Sequence, residues 1–416
     1  MKRNNPSFVK ALAAVFVITV FAASNTVGWA KPRSSGTEHF IFDDNRIFTP
    51  VTFVRPHGTL RKTLAFVDMG TPVLVLSSAL AKDLQLDRKG AVAFRIGQLE
   101  IHVPASGVET GAGAFRTGAD GQATKWVEAV LPGSVMKDYQ VIFDYANHRL
   151  TLAPPDTFAP IGIAIPCRVN EKTGLISVSG VVGGKTYTFA IDSGSAYSWI
   201  RDQIAQEWVR AHPAWKRGIG AVGEANMQMN PGGAEANATL VRVPELSLGD
   251  LHLNRIGVLG IAPQAPPFPA VPGNGKVQGD FFDWYSEKAP GPVIGWLGAN
   301  VLKGFRVMID YPRHITYWER EKGFDASDLD QVGVTLETPD NAKGYFIAGI
   351  ARKEGKPTVE GIHIGDKLVE IDGIPLQGRT RGGVLAALHG KPGTSRILTV
   401  VRGGTRVTLQ ARVTSF

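Results

Sequence analysis

Two apolar stretches of the chain each run into an aspartate that is followed by small residues. Asp68 lies in LAFVDMGT and Asp192 lies in TFAIDSGS. Two carboxyl groups within hydrogen-bond reach of each other cannot both stay ionised, so one keeps a proton while the other is charged. Such a pair can take a proton from water and donate one to a carbonyl or a leaving group. The candidate site residues are Asp68, Gly70, Thr71, Asp192, Ser193, Gly194 and Ser195.

This chemistry requires that each aspartate stands at the end of a strand, in a tight turn. Glycine lets the backbone of such a turn approach its partner closely, and a hydroxyl residue can hydrogen-bond across it. Two lobes must also meet, so that the aspartates come together. The alternative interpretation is structural, because Asp-Ser-Gly is also an ordinary turn and an aspartate can cap the segment after it.

An internal repeat favours the two-lobed interpretation. The segment LPGSVMKDYQVIFDYANHRLTL aligns without a gap on LGANVLKGFRVMIDYPRHITYW, which places Asp144 on Asp310. Both copies predict a helical turn that leads into a β-hairpin. We interpret these two aspartates as structural residues of the hairpins. The sequences around Asp68 and Asp192 repeat in the same order, so the chain predicts two related, mostly β lobes at residues 31–155 and 156–325.

The second lobe is longer than the first between its two repeated motifs. The extra residues fall in NMQMNPGGAEANAT and in the segment from APQAPPFPAVPGNG to FFDWYSEKAPGP, both of which contain many Gly or Pro residues and predict loops. Residues 326–416 differ from both lobes. A short strand, GYFIAGI, precedes an alternating strand, a short helix and a hairpin turned by Gly403 and Gly404, which together predict a compact α+β module.

The motifs resemble those of pepsin-like and retropepsin-like aspartic proteases, in a single-chain, two-lobed bacterial form. The match rests on Asp192-Ser193-Gly194-Ser195 and on the segments GWLGANVLKGFRVMIDY and VLPGSVMKDYQVIFDY. The resemblance implies two duplicated acid-protease-like β-barrel lobes and an endopeptidase without metal or cofactor. It also implies that Asp68 and Asp192 activate water, with protein or peptide substrates.

The first half-site departs from the family pattern. Met69 stands where the family has Thr or Ser, whose hydroxyl takes part in a reciprocal hydrogen-bonded grip between the lobes. Ser193 could make only its half of that grip. The alternative function is therefore a catalytically degenerate protein of the same fold that binds peptides or serves as a scaffold.

The C-terminal module resembles a PDZ domain. Gly344-Tyr345-Phe346-Ile347 matches the Gly-Φ-Φ-Φ carboxylate-binding loop, and EGIHIGDKLVEIDG matches later strands. The resemblance implies that this loop binds peptide C-termini while the peptide adds a strand to the sheet edge. The alternative is a module that only packs against the lobes.

The N-terminus predicts an export signal at residues 1–30. An apolar core follows the positive residues Lys2, Arg3 and Lys10. Small residues, Gly28 and Ala30, stand at the positions that a signal peptidase reads. We therefore expect a periplasmic or secreted bacterial protein. An uncleaved segment that anchors the chain in the membrane is the alternative, because no charge occurs from residue 11 to residue 30.

Charge and cysteine content exclude other classes. The formal net charge is +8, but the basic residues are dispersed, so we expect no nucleic-acid partner. No histidine has the spacing of a metal site, so we expect no metal. Cys167 is the single cysteine and lacks an activating neighbour in sequence, which predicts a buried, inert thiol.

Overall fold

The computed structural model describes residues 34–86, 90–111, 115–117, 125–226, 235–263, 281–321, 327–338 and 343–416. The predicted signal peptide lies outside these residues. The fold is mostly β and two-lobed, followed by a smaller module, in agreement with the predicted fold class. Residues Ser34–Phe416 form one compact unit, in which the lobes and the module share interfaces.

The first lobe is built from short strands with alternating burial. In β3, for example, every second residue from Ile47 to Phe53 faces the core, as expected for a strand buried on one face. Its strands are β1 (Gly36–His39), β2 (Ile41–Asp43), β3 (Arg46–Val54), β4 (Leu60–Asp68), β5 (Leu74–Leu76), β6 (Ala91–Ile96), β7 (Leu99–Pro104), β8 (Val108–Thr110), β9 (Phe115–Thr117), β10 (Lys125–Pro132), β11 (Gln140–Asp144) and β12 (Arg149–Ala153). Its helices are α1 (Ser78–Asp83) and α2 (Gly133–Met136), with 3-10 turns at Pro56–Gly58 and Ala105–Gly107.

The second lobe repeats this plan and closes into a barrel, because β15 pairs with both β16 and β19. Its strands are β13 (Ile163–Pro166), β14 (Arg168–Val169), β15 (Ile176–Val182), β16 (Lys185–Ile191), β17 (Trp199–Arg201), β18 (Arg217–Ile219), β19 (Thr239–Leu248), β20 (Leu251–Ile261), β21 (Gly295–Leu297), β22 (Phe305–Asp310) and β23 (Ile315–Arg320). Its helices are α3 (Asp202–Ala211), α4 (Phe281–Lys288) and α5 (Ala299–Leu302), with 3-10 turns at Gly223–Ala225, Glu235–Asn237 and Tyr311–Arg313.

The two repeated hairpins form one sheet between the lobes. Strands β11 and β22 pair antiparallel, and the order is β1-β12-β11-β22-β23-β13. Asp144 accepts hydrogen bonds from Asn147 and Arg149, and Asp310 accepts them from Gln140 and Arg313. The prediction that both aspartates are structural residues of hairpins is confirmed.

The C-terminal module is an α+β unit, as predicted. Its strands are β24 (Asp330–Val332), β25 (Val334–Glu337), β26 (Tyr345–Ile350), β27 (Arg352–Lys353), β28 (Lys356–Pro357), β29 (Lys367–Ile371), β30 (Ile374–Pro375), β31 (Ser395–Arg402) and β32 (Thr405–Ser415), and its helix is α6 (Arg381–Leu388). The main sheet has the order β24-β32-β31-β29-β26-β25.

The module is continuous with the second lobe. Strand β27 pairs with β18, so the hairpin β27–β28 extends the sheet of that lobe. Phe416 is buried against Gly218 of the lobe and Gly333 of the module. Thr335 of β25 donates a hydrogen bond to the carbonyl oxygen of Ala221, at 2.8 Å. The module is therefore packed against the second lobe through its own core residues.

Candidate functional site

Asp68 and Asp192 stand at the ends of equivalent strands. Asp68 is the last residue of β4, which pairs in parallel with β10, and Asp192 follows β16, which pairs in parallel with β21. The turn after each aspartate is held by an equivalent bond. Gly133 N donates to Thr71 O at 3.2 Å, and Ala299 N donates to Ser195 O at 2.8 Å. The two half-sites are thus built by the same local topology.

The two turns meet face to face. A Cβ atom added to Gly70 would lie 2.5 Å from Asp192 Oδ2, and one added to Gly194 would lie 2.3 Å from Asp68 Cγ. No side chain fits at such distances, so glycine is required at both positions for steric reasons. Each carboxyl group therefore packs against the backbone of the opposite turn, and the structure brings together the two aspartates that the sequence predicts.

Local donors hold the Asp68 carboxyl group. Gly70 N donates to Asp68 Oδ1 at 2.9 Å, and the Thr71 hydroxyl donates to Asp68 Oδ2 at 2.7 Å. On the other side, Gly194 N donates to Asp192 Oδ1 at 2.8 Å. These bonds fix the orientation of both side chains.

Ser193 makes one half of a grip across the lobes. Met69 N donates to Ser193 Oγ at 3.2 Å, and the Ser193 hydroxyl donates to Val67 O at 3.0 Å. Met69 has no hydroxyl group, so it cannot make the two equivalent hydrogen bonds to the turn of the second lobe. Its side chain is instead fully buried in the main apolar core. The prediction of a one-sided grip is confirmed.

Burial and mutual proximity shift the protonation of the pair. Burial raises the pKa of Asp192 well above its usual value, and the charge of Asp68 raises it further. Burial also raises the pKa of Asp68, but hydrogen bonds from Thr71, from Asp192 and from the backbone oppose that rise. Both pKa values are thus raised, so the two carboxyl groups share a proton, and the Thr71 and backbone donors favour the ionised form of Asp68.

Trp296 supports the Asp192 turn, and the sequence did not predict this role. Its indole N–H donates to the Ser195 hydroxyl, which donates to Tyr197 O at 2.7 Å. Aromatic rings of α4 surround the indole, with the ring centroids of Phe282 and Tyr285 at 5.3 and 5.5 Å. The loop prediction for FFDWYSEK is therefore wrong. Its spacing of four aromatic residues in eight positions is the signal for a packed helix.

Asn45 is a second residue that sequence reasoning missed. It lies in the β2–β3 turn with a φ of 54° and is almost fully buried. Its side-chain N–H group donates to Ala196 O at 3.0 Å and to Glu224 at 2.8 Å. Asp-Asn between two strands does predict a turn, but only the tertiary fold brings this turn to the residue after Ser195.

The predicted peptide-binding loop leads into a strand that has a neighbour on each side. Strand β26, which begins with Tyr345, lies between β25 and β29. Ile347 N donates to Asp366 O at 2.9 Å, and the Tyr345 hydroxyl donates to Arg379 O. Gly344 lies against Lys367, and Phe346 packs under the same ammonium group. Strand β26 pairs with β25 from Phe346 to Ile350 but with β29 only at Tyr345 and Phe346, so the addition of a peptide strand to the edge of this sheet stays a prediction.

The described parts of the chain contain no metal-binding cluster, no activated thiol and no membrane-spanning helix. Those residues contain no group of three or more His, Cys, Asp or Glu side chains arranged to hold a metal ion. Burial raises the pKa of Cys167 to about 12, which agrees with the predicted inert thiol. In the same residues, no helix combines the length and apolarity that crossing a membrane requires.

Comparisons with known proteins give only distant structural similarity. No model of a protein family matches the chain, and no curated protein matches it. Among solved structures it is similar to the aspartic proteinase from Irpex lacteus, with 10% sequence identity and a TM-score of 0.38. That similarity covers 71% of this chain and 100% of the other. The catalytic function proposed for the two aspartates rests on the strand pairing and on the geometry of the two turns.

Proposed function

We propose that the protein is an aspartic-type endopeptidase, with Asp68 and Asp192 as its catalytic pair. The observation that carries this proposal is the reciprocal contact of the two turns, in which each glycine backs the carboxyl group of the opposite aspartate. This contact places two buried carboxyl groups of unequal pKa side by side. A shared proton at such a pair suits acid and base catalysis at one site.

The hydrogen bonds from Gly70 and Thr71 to Asp68, which favour its ionised form, support the following two roles. Asp68, as carboxylate, takes a proton from a water molecule whose oxygen bonds to the scissile carbonyl carbon. Asp192, as acid, donates its proton to the carbonyl oxygen. In the second step Asp68 donates the proton that it took from water to the amide nitrogen, the C–N bond breaks, and Asp192 recovers its proton from the former carbonyl hydroxyl. Neither a metal nor a covalent intermediate takes part.

Met69 favours a second candidate function. Because the grip between the lobes has one hydroxyl in place of two, the two turns are held less symmetrically. A protein of this fold in which the pair no longer activates water would bind peptides in the cleft without cleaving them. The two candidates differ in turnover, which a cleavage assay measures directly.

The test is cleavage of an unstructured protein by the purified chain between about pH 3 and pH 7. A working pair predicts cleavage that a statine-type inhibitor blocks. Asp192→Asn and Asp68→Asn should each lower the rate by at least about a hundredfold, since each removes one proton-transfer group. Asp138→Asn is the matched control, because the Asp138 carboxyl group is exposed and pairs only loosely with Lys137. No cleavage by the wild-type protein across a broad peptide library would contradict the proposal and favour the peptide-binding function.

We further propose that the protein is exported and that its module assists peptide recognition. The N-terminal charge and hydropathy pattern supports export, and N-terminal sequencing of the protein from cell fractions tests it. The module's resemblance to a PDZ domain supports recognition of peptide C-termini at Gly344-Tyr345-Phe346-Ile347. Binding of a peptide with a free carboxylate, compared with its amidated form, tests that role.

A further inference from the structure

A cavity lies where the first lobe, the second lobe and the module meet. Its volume is about 350 Å³, within the usual range of small-molecule sites. One wall is the β2–β3 turn of the first lobe and another is a face of α6. The lining residues are Phe42, Asp43, Asp44, Asn45, Glu224, Asp328, Gln331, Gly382, Leu385, Ala386 and His389.

Carboxyl groups dominate the lining, and three of the four are already paired. Asp44 contacts Arg46 and Arg381, Glu224 contacts Lys303, and Asp328 contacts Arg242. Asp43 differs, since its carboxyl group accepts a hydrogen bond from the neutral Thr380 hydroxyl at 2.7 Å. No ion pair to Asp43 occurs within the described residues. Gly382 N also donates to Asp43, and the charge of Arg381 favours its ionised form without an ion-pair contact. A cation in the cavity would supply that contact.

Two buried acceptors at the cavity have no donor. Asp44 Oδ1 and Gln331 Oε1 have no hydrogen-bond partner within the described part of the chain, and their residues are 6% and 3% exposed. A buried acceptor that has lost water costs about 1–3 kcal/mol unless a donor replaces it. Two oxygen acceptors of the lining residues are thus without a donor among the described residues.

From these features we propose that the junction cavity binds a single alkylammonium or alkylguanidinium group. The cationic head would donate to Asp43, to Asp44 Oδ1 and to Gln331 Oε1. The alkyl part would contact the apolar side of the cavity at Phe42 and Leu385. The group can belong to a free amine or to a basic side chain of a peptide, since both present the same chemistry.

The cavity wall also contacts the Asp192 turn. Asn45 donates to Ala196 O, and the Tyr197 hydroxyl donates to Asp328 at 2.8 Å. Both Asn45 and Asp328 line the cavity. A ligand in the cavity would therefore contact Asn45 and Asp328, which hydrogen-bond to the two residues that follow Ser195.

Binding should depend on pH in a defined direction. Burial, as the largest cause, raises the pKa of Asp43 to about 6. A cation prefers the ionised carboxyl group, so binding should strengthen as the pH rises through 6, by about tenfold between pH 5 and pH 7.5. The other charged or titratable groups that face Asp43 from neighbouring elements are Asp44, Arg46, Glu224, Asp328, Arg381 and His389.

The experiment is calorimetric titration of the full-length protein with pentan-1-amine, which carries one ammonium group, at pH 5, 6 and 7.5, with pentan-1-ol as the neutral comparison. The same titration with Asp192→Asn separates binding from any peptidase activity, because the inference does not depend on cleavage. A peptide with one lysine, compared with its norleucine counterpart, distinguishes a side-chain ligand from a free amine. Binding by either cation and not by its neutral partner supports the proposal, and binding by neither overturns it.

Two variants locate the site. Asp43→Asn should weaken pentan-1-amine binding at pH 7.5 by about tenfold and abolish the pH dependence, whereas Asp138→Asn should change neither. Gln331→Met keeps the side-chain volume, removes the acceptor, and should weaken binding severalfold even if Asp43→Asn does not fold. Unchanged affinity in the folded variants would overturn the assignment, and a pH dependence that persists in Asp43→Asn would contradict the role of Asp43.

Discussion

At the residue scale, the two aspartates differ because their turns differ. The Thr71 hydroxyl donates a hydrogen bond to the Asp68 carboxyl group, whereas the Ser195 hydroxyl donates to the carbonyl oxygen of Tyr197. The sequence predicts both hydroxyl residues at equivalent positions, but it does not predict where each hydroxyl points. That direction depends on Trp296, which comes from a distant strand and donates to Ser195.

Thr71→Val should move the acid side of the pH–activity profile. The Thr71 hydroxyl lowers the pKa of Asp68, so its loss raises that pKa, and the ionised form of Asp68 then requires a higher pH. A charge-assisted hydrogen bond of about 1.5–3 kcal/mol corresponds to a shift of about one pH unit or more. Thr71→Ser keeps the donor and should keep the position of the acid limb. An unshifted limb in Thr71→Val would show that Asp68 is not the group that must ionise.

Met69→Thr tests whether the missing hydroxyl costs stability. A hydroxyl at this position could repeat the bonds of Ser193, for a gain of about 1–2 kcal/mol. The Met69 side chain is 1% exposed in the core, so its loss costs about 2–4 kcal/mol. We expect a net decrease of about 1–2 kcal/mol in the free energy of unfolding, measured by urea denaturation. Met69→Leu should stay within about 1.5 kcal/mol of wild type, and a more stable Met69→Thr would refute this ranking.

At the element scale, the β2–β3 turn and α6 fit together at a glycine. A Cβ atom on Gly382 would lie 2.5 Å from both Asp43 Oδ1 and Asp44 N. Thr380 caps α6 by accepting from Gly383 N, and it also donates to Asp43. The sequence predicts the helix from TRGGVLAALHG, but the contact that requires glycine comes from a residue far away in the chain.

Gly382→Ala should destabilise the protein although alanine favours a helix. The propensity gain is about 1 kcal/mol, but the new Cβ atom must displace the backbone of the β2–β3 turn. We expect a net loss of about 1–3 kcal/mol, measured as a lower midpoint of thermal unfolding. Gly107→Ala is the matched control, since its Cβ atom would be 3.4 Å from the nearest atom. An increase in the midpoint for Gly382→Ala would mean that the turn is not held against α6.

At the scale of the whole molecule, the module is part of the same folded body as the second lobe. Strand pairing of β18 with β27 and the burial of Phe416 both cross between them. The sequence indicates a separate module because its composition and pattern change near residue 326. Composition does not record the area that a lobe and a module bury against each other. Only the tertiary structure shows that residues of both pack in one hydrophobic cluster.

Phe416→Ala should therefore destabilise the lobe and the module together. Loss of a buried phenylalanine costs about 3–5 kcal/mol. We expect one unfolding transition at lower denaturant concentration, followed by both tryptophan fluorescence and circular dichroism. Ile397→Ala is the control, because Ile397 is 51% exposed and should change stability by less than about 1 kcal/mol. Separate transitions for lobe and module would contradict a shared core.

The sequence by itself determined the mostly β fold, the duplicated lobes and the two aspartates, because strand alternation, turn residues and an internal repeat are local signals. Only the tertiary structure decided the rest. It placed each glycine against the opposite carboxyl group, gave β26 two neighbours, and brought Asn45, Trp296 and the junction cavity to the Asp192 turn. These contacts join residues that are far apart in the chain. They depend on how the folded segments pack, which a local sequence pattern does not predict.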